Sequence, residues 1–166
     1  GVRSMLKLFG SSFPGLRMQL WCMRHVPMLW WTRPQLRSIS DEEVEIEIPF
    51  KRRNRNHLGS MYFGVLCCGA DLAGGILAAA EISRREQPIS LVFKDMHAQF
   101  LRRAVGPTLF RCTEGAKIRS LVEKTIASGQ REETPSRVSA YVKEEKVAEF
   151  SLTLSLKSKV DGASGR

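Results

Sequence analysis

The first forty residues of this chain contain no acidic side chain, although Arg3, Lys7, Arg17, Arg24, Arg33 and Arg37 all lie there. The sequence also lacks a G-x-S-x-G nucleophile elbow, a phosphate-cradling P-loop and a dinucleotide-binding glycine fingerprint. Those absences remove the usual sequence signals for a serine hydrolase, a nucleoside triphosphatase and a nicotinamide or flavin enzyme. Cys22, Cys67, Cys68 and Cys112 form no C-x-x-C pair and have no metal-ligand spacing to a histidine. No metal and no cofactor is therefore expected. Cys67 and Cys68 stand side by side in an apolar run, which reads as reduced, buried thiols of a cytoplasmic protein. No secretory signal, internal repeat or low-complexity segment is evident.

The charge that is present is unevenly placed. Lys and Arg total 26 against 17 Asp and Glu, a net of +9. Without the six cations of the first forty residues, the balance is 20 against 17, or +3. Much of that excess falls near Lys51–Arg55. A mildly basic body suits attraction of a small anion better than a dedicated nucleic-acid groove, so no nucleic-acid partner is expected.

From Leu58 to Ala80 there is one charge in 23 residues, Asp71, and there are five glycines. Three readings compete. The run is long enough to cross a bilayer, but a mid-span Asp costs about 2.5–3.5 kcal/mol on insertion scales. It also fits a buried core helix whose Asp caps or pairs, or a buried helix whose Asp faces a reaction site. A carboxylate in so apolar a run is expensive to desolvate, which marks it for function. The glycines weaken a helix by nearly 1 kcal/mol each relative to Ala, and close approach of another backbone is the expected compensation.

Around this run the apolar pattern changes period. Val44, Ile46, Ile48 and Phe50 alternate with Glu45 and Glu47, and Phe150, Leu152, Leu154 and Leu156 alternate with polar residues. Both are strands with one wet face. Val138, Ala140 and Val142 precede a Lys143–Lys146 turn and complete a hairpin. Ile89–Leu101 and Thr108–Thr113 read as strands separated by the Gly106-Pro107 turn. Ile118, Leu121, Val122, Thr125 and Ile126 have helical spacing, and Gly129 stops that helix. Gln130–Ser136 reads as a polar loop. The order is strand, long apolar helix, then four strands with a short helix between the second and third. An apolar helix must be wrapped, and an antiparallel sheet can curl around it. The expectation is one α+β domain over 35–160, an N-terminal helical extension over 1–34 and a flexible tail over 161–166. In the extension, Pro27 separates two short helices that pack on the body. A membrane-surface segment and an organellar targeting segment are the alternatives there, and membrane contact is not the expectation.

Asn56 after a basic stretch, then Gly59, Gly64 and Asp71 on the entry turns of a buried helix, then this strand series, resembles the hotdog fold. The similarity is to acyl-CoA thioesterases of the phenylacetate-pathway type and a related uncharacterised branch. In that family an Asn precedes the helix, His-Gly-Gly opens it, and a catalytic Asp follows two turns on. Here Asn56 and Asp71 keep the fifteen-residue spacing, while Tyr62, Phe63 and Gly64 stand at the opening motif. The resemblance implies a long central helix wrapped by an antiparallel sheet and hydrolysis of an acyl-CoA thioester, with CoA ester as substrate rather than cofactor. It implies Asp71 as base or nucleophile, Gly64 as oxyanion donor and Asn56 as an orienting amide. Tyr62 and Phe63 would contact substrate. Arg102 and Arg103, in FKDMHAQFLRRAVG, would dock CoA phosphates. It also implies a homodimer, or a homotetramer built as a dimer of dimers, with each site between two subunits. A non-catalytic module that binds acyl-CoA or another hydrophobic ligand is the alternative. His57 reads as a surface loop residue.

Overall fold

A computed structural model describes residues 14–85 and 87–159. Residues 1–13 and the tail expected over 161–166 lie outside them. The elements run α1 (Pro14–His25), α2 (Pro27–Trp31), β1 (Gln35–Ile39), β2 (Val44–Ile48), a 3₁₀ turn (Arg52–Asn54), α3 (Phe63–Arg84), β3 (Ile89–Phe100), β4 (Thr108–Cys112), α4 (Gly115–Ser128), β5 (Arg131–Val142) and β6 (Glu145–Ser158). The six strands make one antiparallel sheet in the order β1-β2-β4-β5-β6-β3. Its inner face carries the alternating residues, and Val44, Ile46, Ile48, Leu152, Leu154 and Leu156 are fully buried.

The sheet holds α3 as its core helix. Burial runs around that helix, from Val65 and Leu66 through Ala73 and Ile76 to Ile82. Of the three readings of the apolar run, the structure takes a helix packed inside the protein, although its length and hydropathy would also suit a membrane span. The glycines admit aromatic rings rather than another backbone. A Cβ on Gly69 would sit 2.3 Å from the Phe110 ring, and one on Gly74 would meet Phe93 at 3.5 Å. Glu81, almost wholly buried near the end of α3, is matched by Arg84 at 3.0 Å and Arg85 at 3.1 Å.

Two expectations are corrected. Residues 131–136 are strand, not loop, because β6 is long enough to pair with all of β5. β4 reaches only Ser139–Val142 of β5. Beyond that point one edge of β5 is unpaired by strand, so the missing N–H of Pro135 breaks no ladder there. The second correction is β1, a five-residue edge strand that the sequence reading omitted. Its residues are exposed or only half-buried, so no alternation announces it.

The helices α1 and α2 pack on the body. Met18, Cys22 and Leu29 are buried in the same core as α3. Gly129 ends α4 in the left-handed conformation, φ 64°.

Candidate active site

The start of α3 has no capping side chain. Tyr62 occupies the cap position in extended backbone, and no acidic residue follows in the first turn. The Tyr62 N–H donates to the Asn54 carbonyl at 2.8 Å, while Val65 and Leu66 donate to the Tyr62 carbonyl. The Phe63 and Gly64 N–H groups are thus left without a backbone acceptor among the described residues, at the positive end of a 22-residue helix. The Tyr62 ring lies against Gly64. An aromatic path continues from Tyr62 to Phe63 at 4.9 Å, to Phe100 at 6.2 Å and to Phe150 at 6.1 Å between ring centres. Tyr62, Phe63 and Phe100 are exposed.

The loop before α3 is organised by Asn56. Its Oδ1 accepts from the Leu58 and Ser60 N–H groups at 3.0 and 3.1 Å, and its Nδ2 donates to Ser60 Oγ at 3.0 Å. The amide therefore builds a turn on its own chain. Arg103 Nη2 donates to the Leu58 carbonyl, and the Met61 N–H bonds the Ala104 carbonyl at 2.8 Å. These contacts bring the β3 exit loop beside the start of α3. Arg102 turns to Glu145, with Nη1 to Oε1 at 3.0 Å.

Asp71 sits elsewhere, two turns along α3. It lines a cavity of about 210 Å³ together with Trp21 and Leu29 from the N-terminal helices, Val26 between them, and Ile76 and Phe93 from the body. The wall is otherwise apolar, and no hydrogen bond or ion pair holds the carboxylate among the described residues. Burial raises its pKa from 3.8 to about 6, because the ionised carboxylate loses its water shell. The buried Cys22 thiol is pushed up to about 11 by burial and by the Asp71 charge, and Cys68 likewise. All four cysteines are free thiols, with Cys67 and Cys68 only half-buried. Glycine at 75 opens one side of this cavity, where a Cβ would meet only Phe93 at 3.6 Å.

The structure therefore gathers Asn56, Tyr62, Phe63, Gly64 and Arg103 at one end of α3 and sets Asp71 apart under α1 and α2. Sequence reasoning missed Asn54, which is fully buried and donates through Nδ2 to the Thr32 and Pro49 carbonyls, both at 2.9 Å. Its Oδ1 is buried with no partner among the described residues. Within KRRNRN nothing marks it out from its basic neighbours. It also missed Trp21, Val26 and Leu29 as walls of the Asp71 cavity.

Residues 16–156 match the profile of a domain of unknown function, DUF4442. The chain belongs to the DUF4442 family. No curated protein matches the sequence. Solved structures share the fold of this DUF4442 chain at low identity. A thioesterase from Haemophilus influenzae is 16% identical, with 95% of this chain and 99% of that one covered and a TM-score of 0.66. A Pseudomonas aeruginosa protein of unknown function, grouped with thioesterases, is 23% identical over 86% and 95%, TM-score 0.73. A thioesterase candidate from Shewanella oneidensis is 15% identical over 87% and 96%, TM-score 0.74. The DUF4442 chain thus has the hotdog architecture of thioesterase-family proteins, an α+β sheet wrapped on a long helix.

Proposed function

We propose that this protein hydrolyses the thioester of a CoA-linked acyl group. The observation that carries this reading is Asp71: a carboxylate with no hydrogen-bond partner among the described residues, in an apolar cavity, with a pKa raised to about 6. A base with a pKa near working pH is suited to take a proton from water and still be ionised. Water deprotonated by Asp71 adds to the thioester carbonyl, whose oxygen becomes an oxyanion. A helix-start N–H, that of Gly64, stabilises it. Collapse expels the CoA sulfur, which leaves as thiol after taking the proton, and the acyl group leaves as carboxylic acid.

One chain does not suffice for that geometry. Seven residues of helix separate Gly64 from Asp71 by about 10.5 Å along the axis, too far for both to touch one reacting carbonyl. A second copy that brings its Gly64 to the first copy's Asp71 completes the site. β3, at the end of the sheet, offers an unpaired edge for that association. This supports the homodimer that the family resemblance implies.

The Tyr62 ring over Gly64 favours a second reading, a module that binds an acyl-CoA without turnover. A hydrolysis screen across CoA esters of different chain length and aromaticity, run beside Asp71→Asn, separates the two. Turnover that Asp71→Asn abolishes supports the enzyme. Binding of an ester with no turnover supports the module.

A further inference from the structure

On the side of α2 away from the core, Trp31, Arg33, Gln35, Lys51, Arg52 and Arg53 line an open groove of about 750 Å³. Four of these six residues are cationic and none is acidic. None of the four forms an ion pair among the described residues, whereas Arg37, Arg84, Arg85, Arg111 and Arg119 all do. Like charges gathered without counter-charges repel one another and favour an anion between them.

The groove is held in shape from beneath. Asn54, bonded to the Thr32 and Pro49 carbonyls, ties the α2–β1 connection to the exit of β2, and those two segments are the groove walls. Arg33 follows directly with φ 59°, a left-handed conformation uncommon for an arginine. Two guanidiniums are steered by aromatic rings, Arg33 at 4.2 Å from the Trp30 centre and Arg53 at 4.9 Å from that of Trp31. Trp31 is 56% exposed, so a flat apolar surface borders the cations. Cations for phosphates beside an indole for a base is the chemistry that recognises a phosphorylated adenosine.

The groove also lies close to the start of α3. The carbonyl of Asn54 accepts the Tyr62 N–H, and Arg55 bridges to Met61. One turn of chain thus joins the groove to the free N–H groups at Phe63 and Gly64. The two arginines implied by the family resemblance are less available, since Arg102 faces Glu145 and Arg103 holds the Leu58 carbonyl.

We propose that this groove binds the phosphate-bearing adenosine end of the CoA ester, leaving its pantetheine arm to run toward the start of α3. The identity of the ligand rests on the thioesterase reading, while the phosphate chemistry of the groove does not. An anionic lipid headgroup offers the same phosphates, so the test separates the two sources.

Calorimetry on the full chain with CoA, dephospho-CoA and pantetheine is the experiment. The wild type binds CoA most tightly and pantetheine least. Arg52→Glu/Arg53→Glu weakens CoA about tenfold or more and leaves pantetheine unchanged. It raises KM for a CoA ester with kcat within about twofold. Lys51→Gln/Arg52→Gln, which spares the Arg53–Trp31 contact, weakens CoA in the same direction if the charge-reversed protein is poorly folded. Arg102→Glu, which spares the Arg103–Leu58 contact, serves as the comparison and has the smaller effect. A wild type that does not bind CoA, or one whose CoA affinity follows Arg102 instead, overturns the proposal. So does binding to phosphatidylglycerol vesicles that saturating CoA cannot displace. CoA binding through the groove with no turnover of any ester would leave this inference standing and remove the enzyme reading.

Discussion

The Tyr62 ring lies so close over Gly64 that a Cβ on that glycine would come within 2.6 Å of ring atom Cε1. The neighbour in the way is the far end of a half-exposed side chain, so it can swing aside. Gly64→Ala is therefore expected to fold normally, with stability unchanged or higher by up to about 1 kcal/mol from helix propensity. Its methyl group narrows the approach to the helix-start N–H, so hydrolysis falls about tenfold or more. Thermal melts beside steady-state kinetics check both halves. Unchanged kinetics would remove Gly64 from the site.

Gly69 is the opposite case. A Cβ there collides with the fully buried Phe110 ring at 2.3 Å. Gly69→Ala is expected to cost about 1–3 kcal/mol or more, while Gly74→Ala, with 3.5 Å to Phe93, is neutral or stabilising. Chemical denaturation of the pair reads the difference.

Asp71 binds its proton more tightly in the folded chain than in the unfolded one. Below the ordinary value of 3.8 both states are protonated and the residue carries no penalty. The penalty grows as pH rises from about 4 to about 6 and is complete above that. Asp71→Asn is therefore expected to be more stable than wild type at pH 7, by about 1–3 kcal/mol, and equal to it near pH 3.5. Activity has the reverse dependence on ionisation: it rises through about pH 6 and falls by about 10²–10⁴-fold in Asp71→Asn. A variant of wild-type rate would make Asp71 structural.

Much of this architecture was legible in the sequence because alternation reports a sheet with one wet face. Ile46 and Leu154 announce their strands, and the wrapped helix follows from Leu66 to Ile82. What escaped was structure set by pairing rather than burial. Arg131–Ser136 is strand because β6 extends alongside it, and Gln35–Ile39 is an edge strand with little apolar signature. The site was legible only in part. Asp71 stood out by its isolation, but nothing local to KRRNRN distinguishes buried Asn54 from exposed Arg53, since one of the two carbonyls that hold Asn54, that of Thr32, lies 22 residues earlier in the chain.

Asn54 supplies its own test. Asn54→Ala leaves the Thr32 carbonyl buried without its donor and the half-buried Pro49 carbonyl with only the Lys51 N–H, so a loss of about 1–3 kcal/mol is expected. If denaturation shows less than about 0.5 kcal/mol, water reaches those carbonyls and the groove is not rigidly held.

The exposed apolar side chains along β3, Val92, Met96 and Phe100, accompany an edge with no further strand among the described residues. Sedimentation at micromolar concentration is expected to show a dimer, and Val92→Lys/Phe100→Glu to shift it toward monomer with loss of activity. A wild type that is monomeric and active would rule out the shared site.

Cys22 gives the molecule a chemical clock. Its thiol is wholly buried on the inner face of α1 and is pushed up to about 11 by burial and by the Asp71 charge, so at neutral pH it resists alkylation as long as the helix stays down. Once α1 lifts, the same sulfur meets water with an ordinary thiol acidity. The rate at which an alkylating reagent consumes Cys22 therefore reports how much of the time the cover over Asp71 stands open.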